Sequence, residues 1–441
     1  MRRRPAAHGT VEVYGAEPPG GPRALPGSPQ ERQSPTMNVR RSAAALAAVG
    51  VLAAAAPATA AGPSPSPKVA LPSGLYGTSD PTYDGVWRQS LTLIAQRTAG
   101  YEPAAKAVDW LAGQQCANGA FAAFRAAPDR ACDSKVMVDT NSTAAAVQAL
   151  KAVGGHGAAV GKAVDWLKSV QNKDGGWGYS PGGASDTNST SVVIGALAAV
   201  GTDPADVHQA GRSPYDLLAA MSVPCGQVGG GGLAYQPDKK GTLYANADAG
   251  AAGVLGALGK GFVTTAGKAP ATSACVTAKH LTPAQIADNA GANLASVVAR
   301  RGHLTSTLPG TMDQPDYGNT ADTVVALAAD GRVGQALQTY TWLEHNATRW
   351  AEQSGPAAYA QLILAAHAVG AQPGDFGGTS LVRSLNQLGP APSMPSAGHE
   401  TKKSGKSDGG SAFGVWWFVG VCLVAGIGIG FLLSGRKKSQ L

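Results

Sequence analysis

The sequence predicts an all-α protein: an α6/α6 toroid of six inner and six outer helices, followed by one C-terminal transmembrane helix. Three observations lead there. Short peptides recur in the same order, which marks a repeat architecture. Two kinds of helix alternate along the chain, one with a single apolar stripe and one apolar nearly all round. A single uncharged apolar run, Phe413 to Leu433, is about the ~20 residues that a spanning helix needs.

The segments follow in chain order. Residues 1–36 are rich in Pro, Gly and Arg, have no apolar periodicity, and precede a complete export signal. They read as an extension from a start codon placed too early. Residues 37–60 form the signal: Arg40 and Arg41, an apolar stretch from Ala43 to Ala56, and a cleavage site at Ala58-Thr59-Ala60. Residues 61–80 are a spacer, and residues 81–388 the helical ectodomain. Residues 389–412 form a stalk rich in Pro, Ser, Gly and Lys. The span 413–433 carries Trp416 and Trp417 near its outer edge and is followed by Arg436, Lys437 and Lys438 in the tail 434–441. A basic end is cytoplasmic, so the expected placement is a single-pass cell-membrane protein with an extracellular ectodomain and a cytoplasmic C-terminus.

The net charge of +7 excludes less than it suggests until it is located. Residues 1–61 contribute +4 and the tail +3, leaving residues 62–435 neutral. A neutral ectodomain has no field to draw nucleic acid, so no nucleic-acid partner is expected.

Within the ectodomain, Lys106-Ala-Val-Asp-Trp-Leu111 returns as Lys162-Ala-Val-Asp-Trp-Leu167. Asp139-Thr-Asn-Ser-Thr143 returns as Asp186-Thr-Asn-Ser-Thr190. In the first helix type Val164, Leu167 and Val170 share one face while Asp165 and Lys168 turn away, as on an outer layer. The second type, Ser191 to Val200, is apolar all round and sits between two layers. Its polar head caps the free N–H groups of the first turn. These templates place inner helices from Asp84, Asn141, Asn188, Asn246, Asn319 and Ala357. They place outer helices from Glu102, Ala159, Ser213, Pro283, Val333 and Gly378. The chain starts with an inner helix and ends with an outer one, Thr379 to Leu388. That last helix can pair with the first and close a ring, with an open helical array as the alternative.

Of the five cysteines, Cys422 lies in the span. Cys116, Cys132, Cys225 and Cys275 lie outside, where oxidation is favoured. Four cysteines allow three pairings. Cys116–Cys132 with Cys225–Cys275 keeps each bond inside one structural repeat, and free buried thiols are the alternative.

At Gln171-Asn-Lys-Asp-Gly-Gly-Trp-Gly178 the chain resembles the Gln/Trp repeat of squalene cyclases and prenyltransferases, members of the α/α-toroid superfamily. The resemblance implies a fold and says little about chemistry. The cyclase acid Asp-x-Asp-Asp is absent. Cys275 and His280 have no acidic partner at the spacing of a prenyltransferase zinc site, so no metal or cofactor is expected. Pro224-Cys225-Gly226-Gln227 places Gln one residue too early for the thioester motif of complement-like toroids. The exported relatives are the cobalamin carriers, intrinsic factor and transcobalamin, and this resemblance implies ligand contacts at the inner-helix heads. Carried onto this chain, the candidate ligand-binding residues are Asp139, Thr140, Asp186, Thr187, Asn246 and Asn319. Their amides, carboxylates and hydroxyls suit a polar small molecule, with cobalamin the leading candidate. The carriers' second, β-rich domain has no counterpart here, so a separate lid or transporter protein is an expected partner. Plain capping is the alternative reading of each head, and a structural or protein-interaction toroid, or a cyclase-like enzyme, the alternative for the whole. Asp248 and Asp322 add acid near this rim, and Tyr83, Tyr244 and Tyr317 stand near three of the heads.

Overall fold

The computed structural model describes residues 71–270, 274–307 and 312–394. The 1–36 extension, the 37–60 signal, the 413–433 span and the 434–441 tail lie outside them, with the spacer before residue 71 and the stalk after residue 394. Among the described residues no helix is long and apolar enough to cross a membrane.

The described residues are mostly helical. Six inner helices are α1 (Gly85–Thr98), α3 (Thr140–Val153), α5 (Thr187–Ala199), α7 (Ala247–Ala257), α9 (Tyr317–Ala329) and α12 (Pro356–Val369). Between them run the outer helices α2 (Ala105–Gly113), α4 (Gly157–Ser169), α6 (Pro214–Ala220), α8 (Pro283–Val298) and α10 (Val333–Asn346), with α13 (Leu381–Asn386) last. A short α11 (Thr348–Ser354) links α10 to α12 and was not expected from the sequence. Strands β1 (Phe121–Ala122) and β2 (Val138–Asp139) pair antiparallel. Each inner helix packs on the next, and α12 packs back on α1, which closes the ring.

Closure differs in one respect from expectation. Inner α12 on α1 carries most of it, while α13 packs on α12 and reaches α1 through Asn386, whose Oδ1 accepts from Gln96 Nε2 at 2.8 Å. Residues assigned to spacer and stalk complete the join. Tyr76 is fully buried, its hydroxyl donates to the Pro390 carbonyl, and Glu102 and Ser393 exchange backbone hydrogen bonds of 2.7 and 2.9 Å. The fold therefore starts before residue 81 and ends after residue 388.

The helix types behave as their patterns require. Outer α4 buries Val160, Ala163, Val164, Trp166 and Leu167, one stripe. Inner α5 buries nine of its thirteen residues, as a helix between two layers must. Outer α6 and α8 begin at capping boxes, Ser213 with Asp216 and Thr282 with Gln285, each followed by Pro at the first helical position.

The repeat is held by one device used again and again. In the second copy, Gln171 Nε2 donates to the carbonyls of Gly175 (2.7 Å) and Val207 (3.2 Å), tying the end of α4 to the next segment. Gly175 has φ +88°, and a Cβ there would fall 2.1 Å from the Ser213 carbonyl oxygen, so only glycine fits. Trp177 is fully buried, its indole N–H donates to Leu167 O at 2.7 Å, and its backbone N–H donates to Thr190 Oγ1 at 3.0 Å. The first copy repeats this with Gln115, Gly119, Phe121 and Thr143. In a later copy Leu304 N donates to Thr320 Oγ1 in the same way.

Both expected disulfides are present, Cys116–Cys132 and Cys225–Cys275. The second fastens the long α7–α8 connection to the α6–α7 loop. Asn289 of α8 pins the same stretch independently, accepting from Val276 N (2.8 Å) and donating to Val276 O (2.9 Å). Because Asn289 survives reduction, replacing Cys225 and Cys275 by Ser should cost only about 2 kcal/mol, the low end for a disulfide. Urea unfolding of that double variant measures it, and non-reducing peptide mapping of the parent should recover Cys225 and Cys275 on one joined species.

The α7–α8 connection has a further role. After α7 it crosses beneath the ring, where the Phe262 N–H donates to Gln148 Oε1 at 3.0 Å. A Cβ on Gly195 would come within 2.9 Å of Gly261 Cα, so α5 needs glycine there for the segment to pass. Phe262 meets Trp87 edge to face with ring centres 5.5 Å apart. Residues 260–262 thus floor the hole of the toroid.

Candidate functional site

The ring encloses a well of about 220 Å³ above this floor. Every inner helix contributes to its wall. On α5 the contributors are Asn188, Ser191, Val192 and Gly195, and on α7 they are Asp248, Ala251, Ala252 and Leu255. Both sets follow i, i+3, i+4, i+7, the face one helical stripe presents. On each helix the first member is polar and the later ones are mostly small or apolar. The well therefore has a polar mouth, at the inner-helix N-termini, and a mostly apolar depth closed by Phe262, with Gln148 and Lys260 at the floor.

Five polar side chains from five helices form the mouth: Asn141, Asn188, Asp248, Asp322 and Gln361. Asn188 Nδ2 donates to Asp248 Oδ2 at 2.6 Å, joining α5 to α7. Gln361 Nε2 donates to both oxygens of Asp322, at 3.2 and 3.0 Å, joining α12 to α9. Asn188 Oδ1 and Ser191 Oγ are buried on the wall and have no hydrogen-bond partner. Burial pushes Asp322 up to about 7, with the Asp248 carboxylate adding to the rise and Gln361 opposing it. Asp248 is raised for the same leading reason, against the hydrogen bond from Asn188.

The candidates taken from the sequence sit differently. Asp139 and Asp186 are 2% and 1% exposed, and their carboxylates cap α3 and α5 by accepting from Ser142 N (2.6 Å) and Ser189 N (2.7 Å). Burial raises both acids, Asp139 to about 6. Thr140 and Thr187 are buried too, donating to the carbonyls of Gly178 and Ala234 at 2.6 Å each. These four side chains are buried and do not line the well, and Asp139 lines a groove that Tyr83 and Tyr179 share. Asn246 caps α7 through Ala249 N at 2.8 Å and stays exposed. Asn319 does not cap α9. Asp316 does, accepting from Asn319 N (3.2 Å) and Asn319 Nδ2 (2.7 Å).

Asn141 and Asn188 were missed although they stand in the repeated Asp-Thr-Asn. The signal was periodicity: one buried stripe from Asn188 runs to Gly195. Gln361, Trp87 and Phe262 carried no motif.

Around the mouth stand exposed tyrosines on the loops that feed the inner helices. Tyr83 (87% exposed) and Tyr244 (65%) precede α1 and α7. Tyr179 and Tyr235 are held there by their carbonyls, which accept from Thr140 N and Thr187 N. Tyr317 has another task, stacked between Trp342 and Trp350 at 5.5 and 5.6 Å. Beside Tyr83 and Tyr179 lies a groove of about 590 Å³ that Phe124 and Met137 also line.

Cys275 is bonded to Cys225 and so is not available to a metal, and among the described residues no group of three His, Cys, Asp or Glu side chains is placed to hold one.

Residues 137–205, from the start of α3 past α5, match the family model of the squalene-hopene cyclase C-terminal domain. No curated protein sequence matches the chain. Two of the similar solved structures share 15% identity with this chain. One is a protein from Actinoplanes, with TM-score 0.41 over 68% of this chain and 80% of that one. The other is ent-copalyl diphosphate synthase from Streptomyces platensis, with TM-score 0.30 over 65% of this chain and 50% of that one. The chain thus spans half the length of the synthase. The closed double ring is an α/α toroid, and the match of residues 137–205 is a likeness to toroids of the squalene cyclase and prenyltransferase type.

Proposed function

We propose that this chain is a membrane-anchored capture protein that binds a polar small molecule across the N-terminal mouth of its toroid, with a corrinoid the leading candidate. The observation that supports it is the convergence of five amide and carboxylate side chains on one opening, ringed by exposed tyrosines. Amides both donate and accept, as the carboxamides of a corrin periphery do. Tyrosines offer flat apolar faces with polar tips, suited to a broad planar ligand. A corrinoid is far larger than the 220 Å³ well, so it would lie on the collar and in the groove beside Tyr83 and Tyr179. The signal at 37–60 and the span at 413–433 would hold the protein at the outer face of the membrane, where a lid or transporter protein could take over the ligand.

Titrating the full-length protein with cyanocobalamin, followed by its visible absorbance, tests this. Binding should be saturable, and Tyr83→Ala with Tyr244→Ala should weaken it at least about tenfold, roughly 1.4 kcal/mol. Asp186→Ser, which keeps a cap beneath the surface, should leave it unchanged. Absence of saturable binding sinks the corrinoid.

A second reading, a cyclase-like enzyme, is favoured by Asp322, a carboxyl able to hold a proton near neutral pH inside an apolar well. It would need that single acid to do what paired carboxylates do elsewhere. Turnover of squalene or a prenyl diphosphate that disappears in Asp322→Asn would establish it.

A further inference from the structure

Asp248 and Asp322 face the well from α7 and α9 without a cation. The ion pairs among the described residues are Arg88–Asp84, Arg97–Glu102 and Arg332–Asp330. Lys260 lines the well from the floor segment but is in none of them. Helix dipoles explain only half of this acid. Asp248 lies in the first turn of α7, where a carboxylate offsets the free N–H groups. Asp322 is the sixth residue of α9, beyond that turn, and receives only the neutral amide of Gln361. A half-buried carboxylate met by neutral donors alone is costly, and it favours any cation that can reach it.

The acids do not stand alone. Asn188 Oδ1 and Ser191 Oγ line the same well with no partner, Ser191 being 4% exposed. Both atoms can accept a hydrogen bond. A group with three N–H donors and one positive charge would reach both carboxylates and one of these acceptors. Below them the wall turns to Leu91, Val192, Leu255, Val325 and Leu364, ending at Phe262. The polar groups at that depth are Gln148, whose amide is already taken by Phe262 N and Val192 O, and Lys260 on the floor.

We propose that the central well binds a primary alkylammonium, its head between Asp248 and Asp322 and its hydrocarbon tail directed down toward Phe262. The site lies beneath the collar, and the proposal stands whether or not a corrinoid covers the mouth. Binding would have a protonic signature. Asp322 is faced by Asp248 from α7 and by Asp316 at the head of its own helix, while α12 offers the neutral Gln361. The protonated fraction that burial creates near neutral pH would be discharged when an ammonium arrives.

Isothermal titration of the purified full-length protein with n-hexylammonium, n-hexanol and n-butylammonium, against protein-free blanks, tests it. At pH 8 hexylammonium should bind at least about tenfold tighter than hexanol, the factor set by a charge-assisted hydrogen bond. From butyl to hexyl the Kd should fall about fourfold per methylene, as burial of each CH₂ requires. At pH 6.5, titrations in buffers of different ionisation enthalpy should show proton release that vanishes in Asp322→Asn. That variant should also narrow the preference over hexanol. Equal or tighter binding of hexanol to the unmodified protein overturns the proposal, as does no binding of hexylammonium at millimolar concentration. The comparison of probes on the unmodified protein decides the matter even if Asp322→Asn fails to fold. If cyanocobalamin fails to bind while hexylammonium binds, the mouth reading falls and this one remains. The converse result removes only this one.

Discussion

Replacing Trp177 by Ala should destabilise the protein by about 3–5 kcal/mol, the range for deleting a buried tryptophan from a packed core. Two losses coincide at this residue. Its ring is fully buried beside Leu167. Its indole N–H donates to the Leu167 carbonyl near the end of α4 at 2.7 Å, and the variant leaves that carbonyl only the longer 3.3 Å bond from Val170 N. Trp177→Phe keeps most of the volume and loses the donor, and it should cost clearly less, because the first copy of the repeat already uses Phe121 at this place. Urea melts of the two variants measure the difference. Equal losses would mean that the hydrogen bond, and not the packing, holds the turn.

This use of one position explains why the fold was legible in the sequence. Gln171, Gly175 and Trp177 repeat as Gln115, Gly119 and Phe121 at the same spacings, with Thr143 answering Thr190 after a longer loop, and a spacing survives when side chains change. Alternation of one-sided and all-round apolar helices then gave the count and the order of inner and outer helices. Six inner starts fell within two residues of those observed. The closure was legible only in outline, since the contact of α12 with α1 is made by alanines, leucines and isoleucines that carry no pairing code.

The site was legible in place and not in residues. Caps were expected to line the mouth, yet a capping carboxylate must turn toward its own helix's N–H groups, and in Asp139 and Asp186 that direction leads into the fold. The mouth falls instead to residues two positions on, Asn141 and Asn188, and to Asp248. The floor was not legible at all. Residues 258–270 have no periodicity, and only the close approach of Gly261 to Gly195 and the Gln148 hydrogen bond reveal where they run.

Removing the charge at Asp322 should stabilise the protein at high pH. Its carboxyl stands near 7 in the fold, against about 3.9 for an unperturbed aspartate. Between these values the folded protein holds a proton that the unfolded chain has released. Linkage then requires stability to fall as pH rises from about 4 to about 7, and to be flat for this group above that. Asp322→Asn keeps the shape and a partner for Gln361 while deleting the charge. The unscreened difference at pH 8 would be about 4 kcal/mol. Solvent reaching Asp322 through the open mouth reduces this to on the order of 2–3 kcal/mol in favour of the variant. At pH 5 the parent's carboxyl is largely protonated in the fold while the unfolded chain has released its proton, so the variant should keep only about a third of that advantage. Asp139 and Asp330, each raised by burial to about 6, bend both curves in the same direction and cancel in the comparison. Urea melts of parent and variant at pH 5, 6.5 and 8 supply the numbers. A variant less stable than the parent at pH 8 would show that the Gln361 hydrogen bonds outweigh desolvation, and that the charged carboxylate is comfortable in the well.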